Sequence, residues 1–155
     1  MKVKDVMTKD PLTIGHEATL GTAIATMRAK GIRHLPVVDD TGALVGIITD
    51  RDLRHTAFAP ALSEHLSPRA NRRLQAMGKA LADLRVKDGM TWHVTTTHPD
   101  APLAHAAVVM FEQRVGSLPV VRDGRLEGIL TERDVLKALT KECPVLEFDP
   151  EGFLW

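Results

Sequence analysis

Apolar positions along the chain change period several times, and each change marks an element. Leu20, Ile24 and Met27 recur at helical spacing, and Leu103, Ala107 and Met110 do so again further on. A short β-prone run precedes each helix, Leu12–Ile14 ("LTI") in the first case and Thr95–Thr97 ("TTT") in the second. Two β-branched runs then follow each helix, "LPVV" with "LVGIIT" and later "LPVV" with "LEGILT". Asp-Asp-Thr-Gly joins the first pair and Asp-Gly the second, so each pair predicts a β-hairpin. The Arg-Asp beyond each hairpin opens another helix, and each stretch reads β-α-β-β-α.

The residues recur as well as the pattern. "VKDVM" from Val3 returns as "VKDGM" from Val86, and "GIITDRD" from Gly46 returns as "GILTERD" from Gly128. The second copy has one residue fewer in its hairpin turn, where loops absorb length changes. An ordered recurrence of this length predicts an internal duplication. A unit of about 50 residues buries little core alone. The two units are therefore expected to pack sheet to sheet with pseudo-twofold symmetry, an α/β (α+β) fold of two tandem units at 1–57 and 86–141. Between them, 58–85 predicts a helical connection: Ser67-Pro68 is a start signal, and Leu74, Met77, Leu81 and Leu84 form one apolar stripe. That stripe is expected to cover the module's own core, with a second subunit as the alternative. The tail, 142–155, ends in Phe153, Leu154 and Trp155, which either pin it to a surface or fray.

Composition narrows the function classes. Of 155 residues, 44% are apolar and 26% charged, which is globular rather than disordered composition. Twenty basic residues balance twenty acidic ones, so no overall field favours nucleic acid or an anionic membrane. Arg69, Arg72, Arg73 and Lys79 read as a solvated helix face, since no aromatic residues interleave with them to stack bases. No apolar run approaches the ~18 residues of a membrane span, and "MKVKDVMTKD" has no apolar leader core, so a cytoplasmic location is expected. The single Cys143 forms no internal disulfide and has no evident base beside it. His93, His98 and His105 match no compact metal-ligand spacing. With no catalytic trio and no phosphate-cradling glycine loop, neither a metal site nor an enzyme is expected.

One repeated motif carries chemistry. Thr49-Asp50-Arg51-Asp52 and Thr131-Glu132-Arg133-Asp134 stand where a strand ends and a helix begins. Each is a capping box, with a hydroxyl and a carboxylate three residues apart. The same groups suit a ligand. A carboxylate accepts hydrogen bonds from the paired hydroxyls of a ribose, assigning that role to Asp52 and Asp134. The threonine hydroxyls and helix N-termini face phosphate, with Arg51 and Arg133 as counter-charges. Thr13, Ile14, His34, Leu35 and Pro36, with Thr96, Thr97, Ser117, Leu118 and Pro119, are the candidates for an apolar adenine slot with backbone hydrogen bonds.

The duplicated unit, "RHLPVVDDTGALVGIITDRD" and "GSLPVVRDGRLEGILTERD", resembles the CBS domain family over nearly the whole chain. The resemblance implies a pair stacked through its sheets, often called a Bateman module, and frequently a disc-shaped dimer of modules. It also implies clefts for AMP, ADP, ATP or sometimes S-adenosylmethionine. The family's ribose-binding aspartate falls on Asp52 and Asp134, and its hydroxyl on Thr49 and Thr131. The copies differ before Leu-Pro, Arg33-His34 against Gly116-Ser117, so unequal sites are expected, with Arg33 or His34 reaching a phosphate and the second cleft more open. Trp92, which replaces Lys9 of the first copy, is expected in packing, with a cleft wall as the alternative. The expected function is a freestanding regulatory sensor of adenine nucleotides, a homodimer acting through an unidentified protein partner or its own assembly. The alternative is a nucleotide-free interaction module with vestigial clefts; a nucleotide-hydrolysing or metal-dependent enzyme ranks last.

Overall fold

The computed structural model describes residues 1–53, 76, 79–80 and 82–142. The predicted stripe at Leu74, Met77 and Leu81, the basic positions Arg69, Arg72 and Arg73, Cys143 and the apolar tail lie outside the described residues. In chain order a 3-10 turn at Val3–Asp5 leads to β1 (Thr8–Lys9), β2 (Ile14–Gly15), α1 (Leu20–Lys30), β3 (His34–Val38) and β4 (Leu44–Thr49). A helical turn at 50–53 follows. The second copy runs α2 (Val86–Gly89), β5 (Thr91–Trp92), α3 (Leu103–Gln113), β6 (Ser117–Arg122), β7 (Arg125–Thr131) and α4 (Glu132–Glu142).

Both predicted hairpins form, β3 with β4 and β6 with β7, antiparallel and each with one register shift before the turn. Helix α1 begins where Thr22 N donates to Thr19 Oγ1 (3.1 Å) and ends at Gly31 in the left-handed conformation, φ 63°. Its buried stripe is Leu20, Ala23 and Met27, and that of α3 is Leu103, Ala106 and Met110. The stripes turn by one residue from the predicted ones, leaving Ile24 and Ala107 half-buried. The run at 95–97 makes only one parallel bridge, Thr97 to Val120, because the chain turns away at His98, whose carbonyl accepts from Ala101 N.

The leading segments change places. One sheet has the order β1-β7-β6 and the other β2-β3-β4-β5. Thus β1, from the first copy, is the edge strand of the second copy's hairpin, and β5 edges the first copy's hairpin. Packing follows the same exchange. Val86 and Met90 complete the core of Leu20, Leu35, Val37 and Ile48, whereas Val3 completes that of Leu103, Met110, Leu118 and Leu130. Val3 and Val86 are both 0% exposed. This explains the recurring Val-Lys-Asp: the valine enters the other unit's core, and the aspartate accepts from a backbone N–H three residues back, Lys2 N to Asp5 Oδ2 at 2.8 Å and Arg85 N to Asp88 Oδ2 at 3.1 Å.

The lysine of the motif pins the crossing from outside. Lys4 Nζ lies 2.7 Å from Asp100 and Lys87 Nζ lies 2.6 Å from Glu17, at equivalent places in the two halves. Hydrogen bonds from Lys4 and Lys2 hold the Asp100 carboxyl well below the usual carboxylate range, and Lys87 lowers that of Glu17. A depressed carboxylate contributes above its unfolded pKa, and the contribution is lost as pH falls through the folded one. Both pairs are solvent-exposed and weakened by salt. Acidification below about pH 4 is accordingly expected to reduce the exchange protection of the Val3 and Val86 amides, which donate to Ala101 and Ala18 carbonyls, before that of the central strands. Equal loss everywhere would show that these pins do not act locally.

Pro36 pairs with Ile47 and Pro119 with Ile129, and all four are buried although they belong to neither helix-backed core. Cross-strand partners share a sheet face. This second apolar face is where the two units meet, and clefts open along its margins.

Candidate functional site

Strand β4 ends at Thr49 and the chain turns at once into helix, leaving the first helical N–H groups in need of acceptors. Thr49 donates to Asp52 Oδ2 through both its backbone N (2.8 Å) and its Oγ1 (2.7 Å), and Asp52 N donates back to Thr49 Oγ1 (3.4 Å). The second copy repeats the arrangement, Thr131 N and Oγ1 lying 2.9 and 2.6 Å from Asp134 Oδ2, with Asp134 N 3.3 Å from Thr131 Oγ1. The cap therefore engages one carboxylate oxygen. Among the described residues, Oδ1 of neither aspartate has a hydrogen-bond partner.

Each aspartate borders a cavity, about 410 Å³ beside Asp52 and about 480 Å³ beside Asp134. The strand exchange determines the walls. Thr49, Arg51 and Asp52 meet Thr91, His93, Val94, Thr95 and Arg114–Ser117 from the other copy, while Thr131, Arg133 and Asp134 meet Thr8, Asp10–Leu12 and Gly31–His34. Arg33, His34, Gly116 and Glu132 border both cavities, so the Arg33-His34 and Gly116-Ser117 difference lies where the two clefts adjoin. A Cβ on Gly116 would stand 3.4 Å from His34 Nε2. Glycine there lets the half-buried imidazole reach between the clefts. Burial lowers the His34 pKa and Arg33 adds to the effect, against the opposing pull of Asp50, Glu132 and Asp52. The ring is neutral at pH 7.

Of the residues singled out in the sequence, His34, Thr49, Arg51, Asp52, Ser117, Thr131, Arg133 and Asp134 line these cavities. Thr13, Ile14, Leu35, Pro36, Thr96, Thr97, Leu118 and Pro119 do not. Ile14, Leu35 and Leu118 belong to the helix-backed cores, Pro36 and Pro119 to the face between the sheets, and Thr97 holds the lone bridge. Thr13 and Thr96 are exposed elsewhere. The walls come from residues slightly earlier, Pro11 and Leu12 in one cleft, Val94 and Thr95 in the other. Each pair follows a turn residue with positive φ, Asp10 (45°) and His93 (51°), which redirects the chain after the edge strand. Those turns, at Asp10 and His93, are the sequence signal for the walls that follow them. Trp92 lines neither cavity and is not packed into a core: it is 46% exposed, its indole N–H donating to the Lys87 carbonyl.

Among the described residues, no group of three or more His, Cys, Asp and Glu side chains is placed to hold a metal ion, and no helix is long and apolar enough to cross a membrane.

The family model for the CBS domain matches residues 3–58 and 81–141. The chain is 38% identical over 140 residues to a CBS domain-containing protein of Dictyostelium discoideum, covering 90% of this chain and 91% of that one. A solved CBS domain pair in complex with 5′-methylthioadenosine and S-adenosyl-L-methionine is similar with TM-score 0.72 and 28% identity, over 92% of this chain and 98% of the other. Another structure, in complex with AMP, has TM-score 0.71 and 28% identity, over 91% and 97%. Some relatives are longer, and the chain spans 36%, 26% and 22% of three of them. The duplicated unit, its crossed edge strands and the matched residues of both repeats agree: the chain belongs to the CBS domain family, as a CBS pair.

Proposed function

We propose that this CBS pair is a non-catalytic regulatory sensor that binds an adenosine-containing ligand in the clefts at Asp52 and Asp134, with a ligand of the AMP, ADP or ATP type in at least one of them. The observation that carries the reading is the divided carboxylate. In each copy one oxygen completes the helix cap while the other has no hydrogen-bond partner among the described residues, and the aspartate lines a cavity. A ribose diol supplies the hydroxyl donors that such an oxygen accepts. Ligands named in the two similar structures, AMP, 5′-methylthioadenosine and S-adenosylmethionine, share that ribose and adenine.

Calorimetric titration with AMP, ADP, ATP and S-adenosylmethionine tests the reading. Saturable binding is expected, with Asp52→Ala and Asp134→Ala each weakening one site by about tenfold or more, the value of a hydrogen bond to a charged group. Folded protein that takes up none of the four would overturn it. Phosphate beside His34 favours the charged imidazole and raises its pKa. Phosphorylated ligands are therefore expected to bind with proton uptake near pH 6, visible as a dependence of the heat on buffer ionisation and absent in His34→Gln.

The signal passes to a protein partner or to the assembly of the chain itself, and a homodimer is the assembly this reading favours. Val108 and Phe111 on α3 and Leu136 and Leu139 on α4 are each more than half exposed, Phe111 at 85%. The first copy has Ala25 and Arg28 at the places of Val108 and Phe111. At these two places the first copy is not apolar, so Val108 and Phe111 are not a requirement of the fold. Phe111→Asp is expected to halve the mass measured by light scattering without lowering stability. Should wild-type protein be monomeric, the same face is left for a different partner, and assembly plays no part in the switch.

A further inference from the structure

The two clefts are electrically unlike. Asp10 and His93 occupy equivalent turns, each beyond its edge strand with positive φ, and each lines its own cavity. Gly31 and Arg114 likewise end α1 and α3 in the left-handed conformation, φ 63° and 55°, and stand in the corresponding cavity walls. Both differences shift charge in one direction. The Asp134 cleft has an aspartate where the other has a histidine, and a glycine where the other has an arginine. Arg33 and Glu132 border both clefts and cancel from the comparison. What remains among the described lining residues is Arg133 against Asp10 and Asp134 in one cleft, and Arg51 and Arg114 against Asp50 and Asp52 in the other. The walls differ in the same sense, since the Asp134 cleft presents Pro11 and Leu12 where the Asp52 cleft presents Val94 and Thr95.

We infer that the clefts take adenosine ligands of different charge: a phosphorylated one beside Asp52, and one whose 5′ substituent carries no negative charge beside Asp134. This rests on the adenosine reading above and adds an assignment of ligand class to each site. A phosphate in the Asp134 cleft would meet an excess of carboxylate, and unit charges a few ångströms apart near a protein surface change affinity severalfold. Arg33 strengthens the asymmetry. It is a single cation on the shared wall, so two phosphorylated ligands at once compete for it, whereas a phosphorylated and an uncharged ligand do not. The chain then reads two small molecules together, reporting their joint presence.

The test is a calorimetric titration of the chain with AMP and with 5′-methylthioadenosine, singly and in sequence. One equivalent of each is expected, both binding together. Asp52→Ala lowers AMP affinity tenfold or more, and Asp134→Ala does the same for 5′-methylthioadenosine. Arg114→Gly weakens AMP about fivefold, more at low salt than at high. The converse variant, Asp10→His, strengthens AMP in the Asp134 cleft about fivefold and brings a second equivalent into range. Asp10 is exposed, so this gain does not depend on a damaged fold. AMP affinity falling as much with Asp134→Ala as with Asp52→Ala, or an Asp10→His chain identical to wild type, would overturn the assignment while leaving the adenosine reading intact. Binding of neither probe would overturn the assignment, and the adenosine reading would fall with it when ADP, ATP and S-adenosylmethionine are not bound either.

Discussion

Replacing Gly46 with alanine is expected to destabilise the chain by about 2 kcal/mol, and with valine by about 3 kcal/mol, the range for overfilling a packed site. A Cβ built on Gly46 would lie 2.5 Å from the Thr91 carbonyl oxygen and 3.0 Å from Met90 Sδ. The methionine can move, but the carbonyl belongs to β5, held in register with β4 by the pairs Gly46–Trp92 and Ile47–Thr91. Relief requires the crossing strand to lift from its partner. Gly128→Ala is expected to cost less, because the nearest atom there is the flexible Met7 Sδ at 2.6 Å, with the Thr8 carbonyl at 2.9 Å. Gly15→Ala is the control, since its Cβ meets nothing within 4 Å. Urea midpoints at constant slope give the differences. A Gly46→Ala chain as stable as the Gly15→Ala chain would mean that β5 does not sit on β4 in solution. The effect extends to ligand, because β5 runs directly into His93, Val94 and Thr95 of the Asp52 cleft.

These two glycines mark the limit of what was legible in the sequence. Local order was readable because each element is specified within a short window: a helical period, a β-branched hairpin, a Thr-x-x-Asp cap. Both hairpins, both central helices and the cap geometry follow from those windows. The exchange of β1 and β5 does not, because a two-residue strand carries no period and nothing local says which hairpin it edges. The pairs "VKD" and "GI" recur together for that reason, one being the crossing segment and the other the strand that receives it. The contribution of Leu12 and Thr95 to the cleft walls is hidden in the sequence for the same reason. Leu12 and Thr95 face a cavity whose other side belongs to the opposite copy, a relation visible only once the crossing is known. The charge contrast of Asp10 with His93 and Gly31 with Arg114 was present in the letters, yet had no meaning before those positions were placed on cavity walls.

Deletion of residues 1–9 is expected to unfold the second unit and spare the first, the reverse of what the repeat boundaries suggest. The deleted segment brings Val3 fully into the core of Leu118, Val120 and Leu130, with Val6 and Met7 packed partly against it. It also supplies β1 on the edge of β7, the Lys4–Asp100 pair, and the Met1 carbonyl that accepts from Leu103 N at the start of α3. At roughly 1.5–3 kcal/mol for a fully buried aliphatic side chain, and less for a half-buried one, the apolar contacts alone amount to about 4 kcal/mol. That approaches the lower end of the roughly 5–15 kcal/mol that stabilises a domain. The first unit keeps Val86 and Met90 on its core and β5 on its edge, so it loses none of these contacts. Hydrogen exchange followed by NMR reads the two outcomes separately. Protection is expected to collapse at Leu118, Val120 and Leu130 and to persist at Leu35, Val37 and Ile48. Val3→Ala should give the same ordering in milder form, at about 2 kcal/mol for the lost methyl groups and the cavity they leave. If Leu35 and Ile48 lose protection first, the leading segment belongs with its own repeat and the exchange is wrong. If the expected order holds, a peptide of residues 1–9 added in trans should restore both the second unit and ligand binding beside Asp134, because Thr8 closes the wall of that cleft.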